Sequence, residues 1–386
     1  MKDRTESHSF PADTLHVGKP NIGNREAFLS LINDVLDRHW LTNNGPLVQE
    51  LEQRISERLG VKHCILVSSG TMALEIAISA LGMTGEVIMP SFTFVSTAHA
   101  LQWQGVTPVF CDIDPATHNL DPNQVEALIT ERTTGILGVH LWGRACAPEA
   151  LSRISKQHGL SLLFDAAHAF GCSHKGRMIG TFGDAEIFSF HATKIFNTAE
   201  GGAIVTQNDE LADKTRAMRN FGFSGYDNVV CLGINGKMNE LCAALGLANL
   251  ESLDDFIASN RRNYDLYRDH LCHLQGLSLL EYNSKNKNNW QCVVMILDES
   301  MTGVSRDTLI SVLHNHNILA RRYFWPGCHQ MEPYRSKNDQ DIFELPATER
   351  IAKQVLVLPT GQNVHISDIS RTCHLIVKSL QGRRFS

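Results

Sequence analysis

Three short stretches of this chain carry residue types that could do chemistry. Ser68-Ser69-Gly70-Thr71 stands between an apolar run and a helical pattern, MALEIAISAL. The start of a helix offers unpaired amides and the positive end of the helix dipole, which together suit a phosphate; Ser or Thr in that place is equally an ordinary N-cap. Asp165 closes the apolar part of SLLFDAAHAFG, at the carboxyl end of an expected strand, where α/β sheets gather their ligands. A carboxylate there either meets a cation or caps the next helix. Lys194 comes later, in EIFSFHATKIFNTAEGG, flanked by Phe188, Phe190, Ile195 and Phe196. Lysine is rarely buried, so this one is either an unusual surface residue or an amine made nucleophilic by an apolar setting.

A phosphate cradle, a buried acid and a buried lysine, in that order at three strand ends, are what pyridoxal phosphate requires of a protein. The elements that must position them are legible as runs. CILVSS (64–69), EVIMP (86–90), PVFCDI (108–113), GILGVHL (135–141), SLLFDAA (161–167), EIFSF (186–190) and GAIVTQ (202–207) alternate with amphipathic helical stretches. They are near-continuously apolar and not alternating, the mark of buried strands in a mostly parallel sheet covered on both faces. The expectation is an α/β fold with a mostly parallel seven-stranded central sheet. A long helical region, MNELCAALGLANLESLDDFIASNRRNYDLYRDHL, then leads to a smaller C-terminal α/β part with a strand at 291–297 and helices at 305–317 and 366–380. We divide the chain into a polar extension (1–16), a cofactor-binding large domain (17–250) and a small domain (251–386).

Composition narrows the partners. With 43% hydrophobic and 20% charged residues the 386-residue chain reads as globular, and a formal net charge of −6 without long Lys/Arg runs argues against nucleic acid. No apolar stretch approaches the ~20 residues that span a bilayer, and the polar start MKDRTESHSFPADTLH lacks a signal-peptide core, so a cytoplasmic protein is expected. Ten cysteines without CxxC spacing fit unpaired thiols better than disulfides or zinc, and no metal is expected.

The segments GPLVQELE (45–52), SSGTMAL (68–74), PSFTFVSTAHA (90–100), PVFCDIDPATHNLDP (108–122), DAAHAFG (165–171), FSFHATKIFNTAEGG (188–202) and GINGKMNELCAALG (233–246) resemble the signatures of the DegT-type nucleotide-sugar aminotransferases. These are fold-type I pyridoxal-phosphate enzymes, usually homodimers. The likeness runs from about Val17 to the C-terminal helix. It implies that Lys194 holds the cofactor covalently and that Asp165 pairs with the pyridine nitrogen. By the same resemblance His168 lies beside the phenolic oxygen, Gly70 and Thr71 offer amides to the phosphate and Ser189 its hydroxyl, and Phe94 covers the ring face. Asn235 would reach the phosphate of the neighbouring subunit. Two departures stand out: Lys237 replaces the Arg of many members, and His191-Ala192-Thr193 fills a variable stretch. Some relatives carry His in place of the lysine and remove a hydroxyl from the sugar; Lys194 disfavours that chemistry.

A finer likeness, in WLTNNGPL (40–47), SFHATKIFNTAEGG (189–202) and RRYFWPGCHQMEPY (321–334), is to enzymes that aminate dTDP-4-keto-6-deoxyglucose at C4 for surface polysaccharide or glycoside synthesis, with glutamate the expected amino donor. Amination of a 3-keto isomer at C3 is the alternative. Trp40 to Asn44, Tyr323, Trp325 and His329 are candidates for sugar and nucleotide contacts, against an ordinary role in aromatic packing. Two rivals from other classes are weaker. A non-catalytic pyridoxal-phosphate sensor predicts damage at the lysine, acid or phosphate loop, and none is visible; a NAD-dependent oxidoreductase lacks GxGxxG after the first strand.

Overall fold

The computed structural model describes residues 14–337 and 344–381. Each of the seven apolar runs forms a strand of one sheet: β1 (His63–Val67), β2 (Glu86–Pro90), β3 (Thr107–Cys111), β4 (Thr133–Val139), β5 (Ser161–Asp165), β6 (Ala185–Ser189) and β7 (Gly202–Thr206). Their order across the sheet is β1-β7-β6-β5-β4-β2-β3. Only β7 runs antiparallel to its neighbours; every other adjacent pair is parallel. Burial on both faces explains why these strands read as unbroken apolar runs.

Helices cover the sheet, many of them opened by side-chain caps that satisfy their free amides. They are α1 (Arg25–Arg38), α2 (Pro46–Leu59), α3 (Gly70–Ala80), α4 (Ser96–Trp103), α5 (Pro148–His158), α6 (Asp209–Met218), α7 (Glu240–Glu251) and α8 (Leu253–Leu271). Asn24, Ser69, Asn208 and Asn239 each accept from the amide three residues on. The helical region expected after residue 237 is broken at Ser252, whose backbone leaves the helix (φ −94°, ψ 3°). Two helices result, and Leu253 and Phe256 of the second still reach the core.

The C-terminal part has a three-stranded antiparallel sheet: β8 (Leu277–Leu279), β9 (Val293–Leu297) and β10 (Val355–Leu358). Helices α9 (Arg306–Asn315), α10 (Pro346–Gln354) and α11 (Ile366–Gln381) complete it, and Tyr267, Leu309, Leu313, Leu356 and Ile376 belong to its own core. Of the expected N-terminal extension, residues 1–13 lie outside the described residues, while Leu15–His16 pairs with Ile318–Leu319 and so belongs to the fold. No helix among the described residues is long and apolar enough to cross a membrane.

Two buried carboxylates fasten elements distant in sequence. Asp112, just after β3, accepts the Ala347 and Thr348 amides at 2.8 Å each and the Thr348 hydroxyl at 2.7 Å, capping α10. Glu240, at the start of α7 and wholly buried, accepts the Leu47 and Val48 amides at 2.9 and 3.0 Å and so caps α2. Replacing Glu240 by Ala leaves both amides buried and unpaired, so Glu240→Ala should cost about 2–4 kcal/mol. A urea denaturation midpoint indistinguishable from wild type would contradict this.

Candidate active site

Strand register assembles the first part of the site. Ser189 at the end of β6 lies opposite Gly202 of β7, which lies opposite Val67 of β1. The turn after β1 therefore passes directly over Ser189 and Gly202. A Cβ on Gly70 would sit 2.6 Å from the Ser189 Cβ, and one on Gly202 would sit 2.6 Å from the Ser69 carbonyl oxygen. Both positions need glycine for that close approach. Ser69 caps α3 by accepting the Met72 amide at 3.1 Å, which leaves the amides of Gly70 and Thr71 without an acceptor in the helix. The Thr71 hydroxyl meets the Ser96 hydroxyl at 2.7 Å. Two free amides, a helix N-terminus and the hydroxyls of Thr71, Ser96 and Ser189 thus converge, a set suited to a phosphate.

Asp165 ends β5, held in the sheet between Val139 and Ile187. It is buried; its Oδ2 accepts the Thr97 hydroxyl at 2.9 Å and its Oδ1 the Ala167 amide at 3.0 Å. Burial raises its pKa above the ordinary carboxylate value, while these two bonds and the nearby Lys194 and His140 pull the other way. Lys194 is half-buried in the turn after β6, its amide donating to the His191 carbonyl at 2.9 Å. Desolvation lowers its pKa, and the Asp165 carboxylate resists that fall. Cys292 is also beside it, but burial pushes that thiol up to about 12, so it stays neutral. His168 is held well below its usual pKa by burial and by the neighbouring Lys194.

The aromatic flank that drew attention to Lys194 has another task. Phe188, Phe190 and Phe196 pack with Phe170 into the core, with the Phe190 and Phe196 centroids 4.8 Å apart. The Lys194 pKa is lowered by burial, against the pull of Asp165. Phe94, in the loop between β2 and α4, is 58% exposed, and its carbonyl accepts the Thr97 amide. Asn235 is exposed too, and the next carbonyl, of Gly236, accepts the Ser68 amide at 2.8 Å. Lys237 donates to the Asn220 side chain at 2.9 Å and lies over the Phe221 ring.

Of the further candidates, Trp40 and Leu41 are exposed, and the Asn44 side chain is taken by Arg219 at 2.9 Å. Tyr323 stacks on Phe324, and Trp325 lies under the Arg306 guanidinium. His329 lies inside the fold. It is 4% exposed, and its Nδ1 meets the Ser91 hydroxyl at 2.6 Å, so it packs the segment after β2. Thr97 and Ser96 were missed from sequence, since a Ser-Thr pair beginning a helix looks like a cap. Trp142 was missed as well; it stacks on His168 at 5.8 Å and on Phe324 at 5.3 Å.

Pyridoxal phosphate fits these residues. Asp165 is a buried acid whose hydrogen bonds come from a hydroxyl and an amide, which leaves a cation wanting; a pyridinium would supply it. His168 Nδ1 is buried without a hydrogen-bond partner, as a group that waits for a ligand oxygen would be. The amides and hydroxyls around Gly70 could hold the phosphate, and Lys194 has the lowered pKa of a nucleophilic amine.

A lysine, an acid and a phosphate cradle arranged this way on a mostly parallel seven-stranded sheet define a pyridoxal-phosphate aminotransferase. The chain belongs to the DegT/DnrJ/EryC1/StrS aminotransferase family, whose sequence pattern matches residues 23–377. It is 40% identical to a dTDP-4-amino-4,6-dideoxy-D-glucose transaminase of Shigella dysenteriae, over 89% of this chain and 93% of the relative. An enzyme of the same name from Escherichia coli is 35% identical, over 90% and 93%. Among solved structures, DesI in the presence of its TDP-sugar product superposes with a TM-score of 0.92 at 47% identity, covering 96% of this chain and 94% of that one.

Thr97→Val keeps the shape of the side chain and removes the hydroxyl that Asp165 Oδ2 accepts. Losing a bond to the charged form raises the Asp165 pKa further. The acid limb of the activity profile should therefore move to higher pH, with activity near neutrality down about tenfold, the equivalent of one hydrogen bond to a charged group. An unmoved acid limb in a variant that folds normally would show that Thr97 does not support the carboxylate.

Proposed function

We propose that this enzyme transfers an amino group from glutamate to C4 of dTDP-4-keto-6-deoxy-D-glucose, giving dTDP-4-amino-4,6-dideoxy-D-glucose for surface polysaccharide or glycoside synthesis. The observation that carries this reading is the pair of relatives named for that product, 40% and 35% identical over about nine-tenths of the chain. The DesI structure, solved with a TDP-sugar product and 47% identical, supports the same nucleotide.

When bound, pyridoxal phosphate supplies an electron sink for the carbanion left when the donor loses its α-proton. Lys194 would hold the cofactor through Nζ, and its amine, when free, would serve as the general acid and base that carries the substrate's proton. A lowered pKa keeps a larger share of that amine neutral, as both tasks demand. Asp165 would pair with the pyridine nitrogen and favour its protonated form, and His168, held neutral by burial, would lie beside the phenolic oxygen. Gly70, Thr71 and Ser189 would hold the phosphate, and the exposed Phe94 would cover one ring face and leave the other to Lys194.

The chain works as a homodimer in the cytoplasm in this reading. Exposed Phe221, Val229, Val230, Ile234 and Leu232, the last 86% exposed, cluster on the loop that carries Asn235, and an apolar surface of that kind suits a subunit contact. Asn235 would then meet the partner's phosphate. Cysteines that are all unpaired accord with a reducing compartment. The large domain would cover 17–250 and the small one 251–386, a boundary that falls beside the interruption at Ser252.

Incubation with glutamate and either 4-keto or 3-keto dTDP-6-deoxyglucose should yield the 4-amino sugar from the first alone; a 3-amino product would overturn the assignment. Lys194→Ala should abolish both turnover and the visible absorbance of the bound cofactor, and a variant that keeps either removes Lys194 from its role. Mixed and reassociated Lys194→Ala and Asn235→Ala subunits should recover up to about a quarter of wild-type activity, the ceiling for random twofold pairing. No recovery after confirmed chain exchange would confine Asn235 to its own subunit.

A further inference from the structure

We propose that Asn289 and Gln291 are positioning residues for the amino-transfer site: together they form a strap from the C-terminal part that fixes the Lys194 turn relative to the His168 turn. Asn289 is wholly buried. Its Nδ2 donates to two carbonyls of the turn after β5, those of His168 at 2.9 Å and Phe170 at 3.1 Å. Its Oδ1 accepts the Gln291 amide at 3.0 Å. The Gln291 side chain reaches the other way, and its Oε1 accepts the Ile195 amide, one residue past Lys194, at 2.8 Å. Two side chains two residues apart thus bind the turn that follows Asp165 and carries His168, and the turn that carries Lys194.

The strap has its own anchor. The Asn289 carbonyl accepts Asn260 Nδ2 of α8 at 3.3 Å, and Asn260 Oδ1 accepts the Thr360 hydroxyl at 3.2 Å. Asn263 of the same helix donates to that hydroxyl at 3.3 Å and to the Gly361 carbonyl at 3.0 Å. On its other side the Lys194 turn is held by Asn21, whose Nδ2 donates to the Ile195 carbonyl at 3.2 Å. Ile195 is therefore gripped at both its amide and its carbonyl, and Lys194 has little freedom to swing away from Asp165. A displacement of about 1 Å at a reacting group can cost ~100-fold in rate, so bonds of this kind matter to catalysis without touching substrate.

The groups that face Lys194 and can titrate are Asp165 and His168 on the β5 side and Cys292 on the strap side. Burial keeps His168 and Cys292 neutral. Asp165 is thus the charged neighbour of Lys194 among them, and the strap itself brings only uncharged amides.

The inference rests on the reading of Lys194 as the amine that holds the cofactor, and the test separates the two. Gln291→Met keeps side-chain length and loses the acceptor; Gln291→Glu keeps an acceptor for the Ile195 amide but adds a charge, so it is read by kcat and not by the Lys194 midpoint. In the protein freed of cofactor, acetylation of each lysine is followed against pH by mass spectrometry, beside the thermal unfolding midpoint. Gln291→Met should unfold within ~3 °C of wild type, while the Lys194 midpoint moves up towards that of an ordinary lysine and the other lysines stay put. With cofactor bound, kcat should fall ~10- to 100-fold with KM little changed, and Gln291→Glu should regain part of that loss. Asn289→Leu should behave like Gln291→Met.

An unchanged Lys194 midpoint and unchanged kcat in Gln291→Met overturn the positioning role. A loss of activity tracking a large drop in unfolding temperature, with no selective change at Lys194, overturns it in favour of plain structural support. Lys194→Ala, run alongside, reports on the functional reading by itself: if that variant keeps the cofactor's absorbance, the reading fails whatever the strap variants do.

Discussion

A buried carboxylate and a half-buried amine have to stay close to each other while each keeps the protonation state that chemistry needs. Burial works against the charged form of both, raising Asp165 and lowering Lys194. For an isolated carboxylate the cost is several kcal/mol. Two hydrogen bonds to its oxygens, from Thr97 and Ala167, return about 1.5–3 kcal/mol each. That offsets much of the cost, yet no cation is among those hydrogen-bond partners, and a pyridinium would satisfy the remaining deficit. The same burial that strains the acid serves the lysine, because a neutral amine is the nucleophile.

The sheet places these groups through register. Asp165 and Ser189 are both final residues of parallel strands, β5 and β6, and Gly202 opposite Ser189 lets the turn from β1 close over them. The phosphate cradle and the acid therefore come from one edge, with α3 and α4 each beginning there. Thr71 of α3 and Ser96 of α4 touch, and Thr97 carries the contact on to Asp165. The proposed phosphate cradle and the groups that bond to Asp165 are thus neighbours, and a shift of α4 would disturb both.

Much of this was legible in the sequence. Seven strands buried on both faces leave unbroken apolar runs, and Lys194, Asp165 and Gly70 stand out because their types are costly or unusual where they fall. Shorter strands such as β8 and β10 were not legible, since three or four apolar residues carry no period. The break at Ser252 was hidden because apolar spacing continues through it. The burial of His329 against Ser91 was not legible either, since the two are far apart in sequence. The strap was invisible for a related reason: NSKNKNNWQ has the composition of an exposed loop, and only the fold reveals that Asn289 is buried and bound on every side.

That strap is made of amides, and the choice has a physical rationale. Asn21, Asn197, Asn249, Asn260, Asn263, Asn289 and Gln291 fasten backbone around the lysine turn, Asn197 donating to the Asn21 carbonyl at 2.9 Å and Asn249 to the Asn197 carbonyl at 2.8 Å. Arginine or aspartate could make the same bonds to carbonyls or amides. A unit charge about 8 Å from the amine at an effective dielectric of ~20 would, however, change its energetics by about 2 kcal/mol, or ~1.5 pK units. Amides offer both donor and acceptor, satisfy buried backbone and carry no net charge. The lysine can then be held firmly in place while its protonation answers to burial and to Asp165 alone.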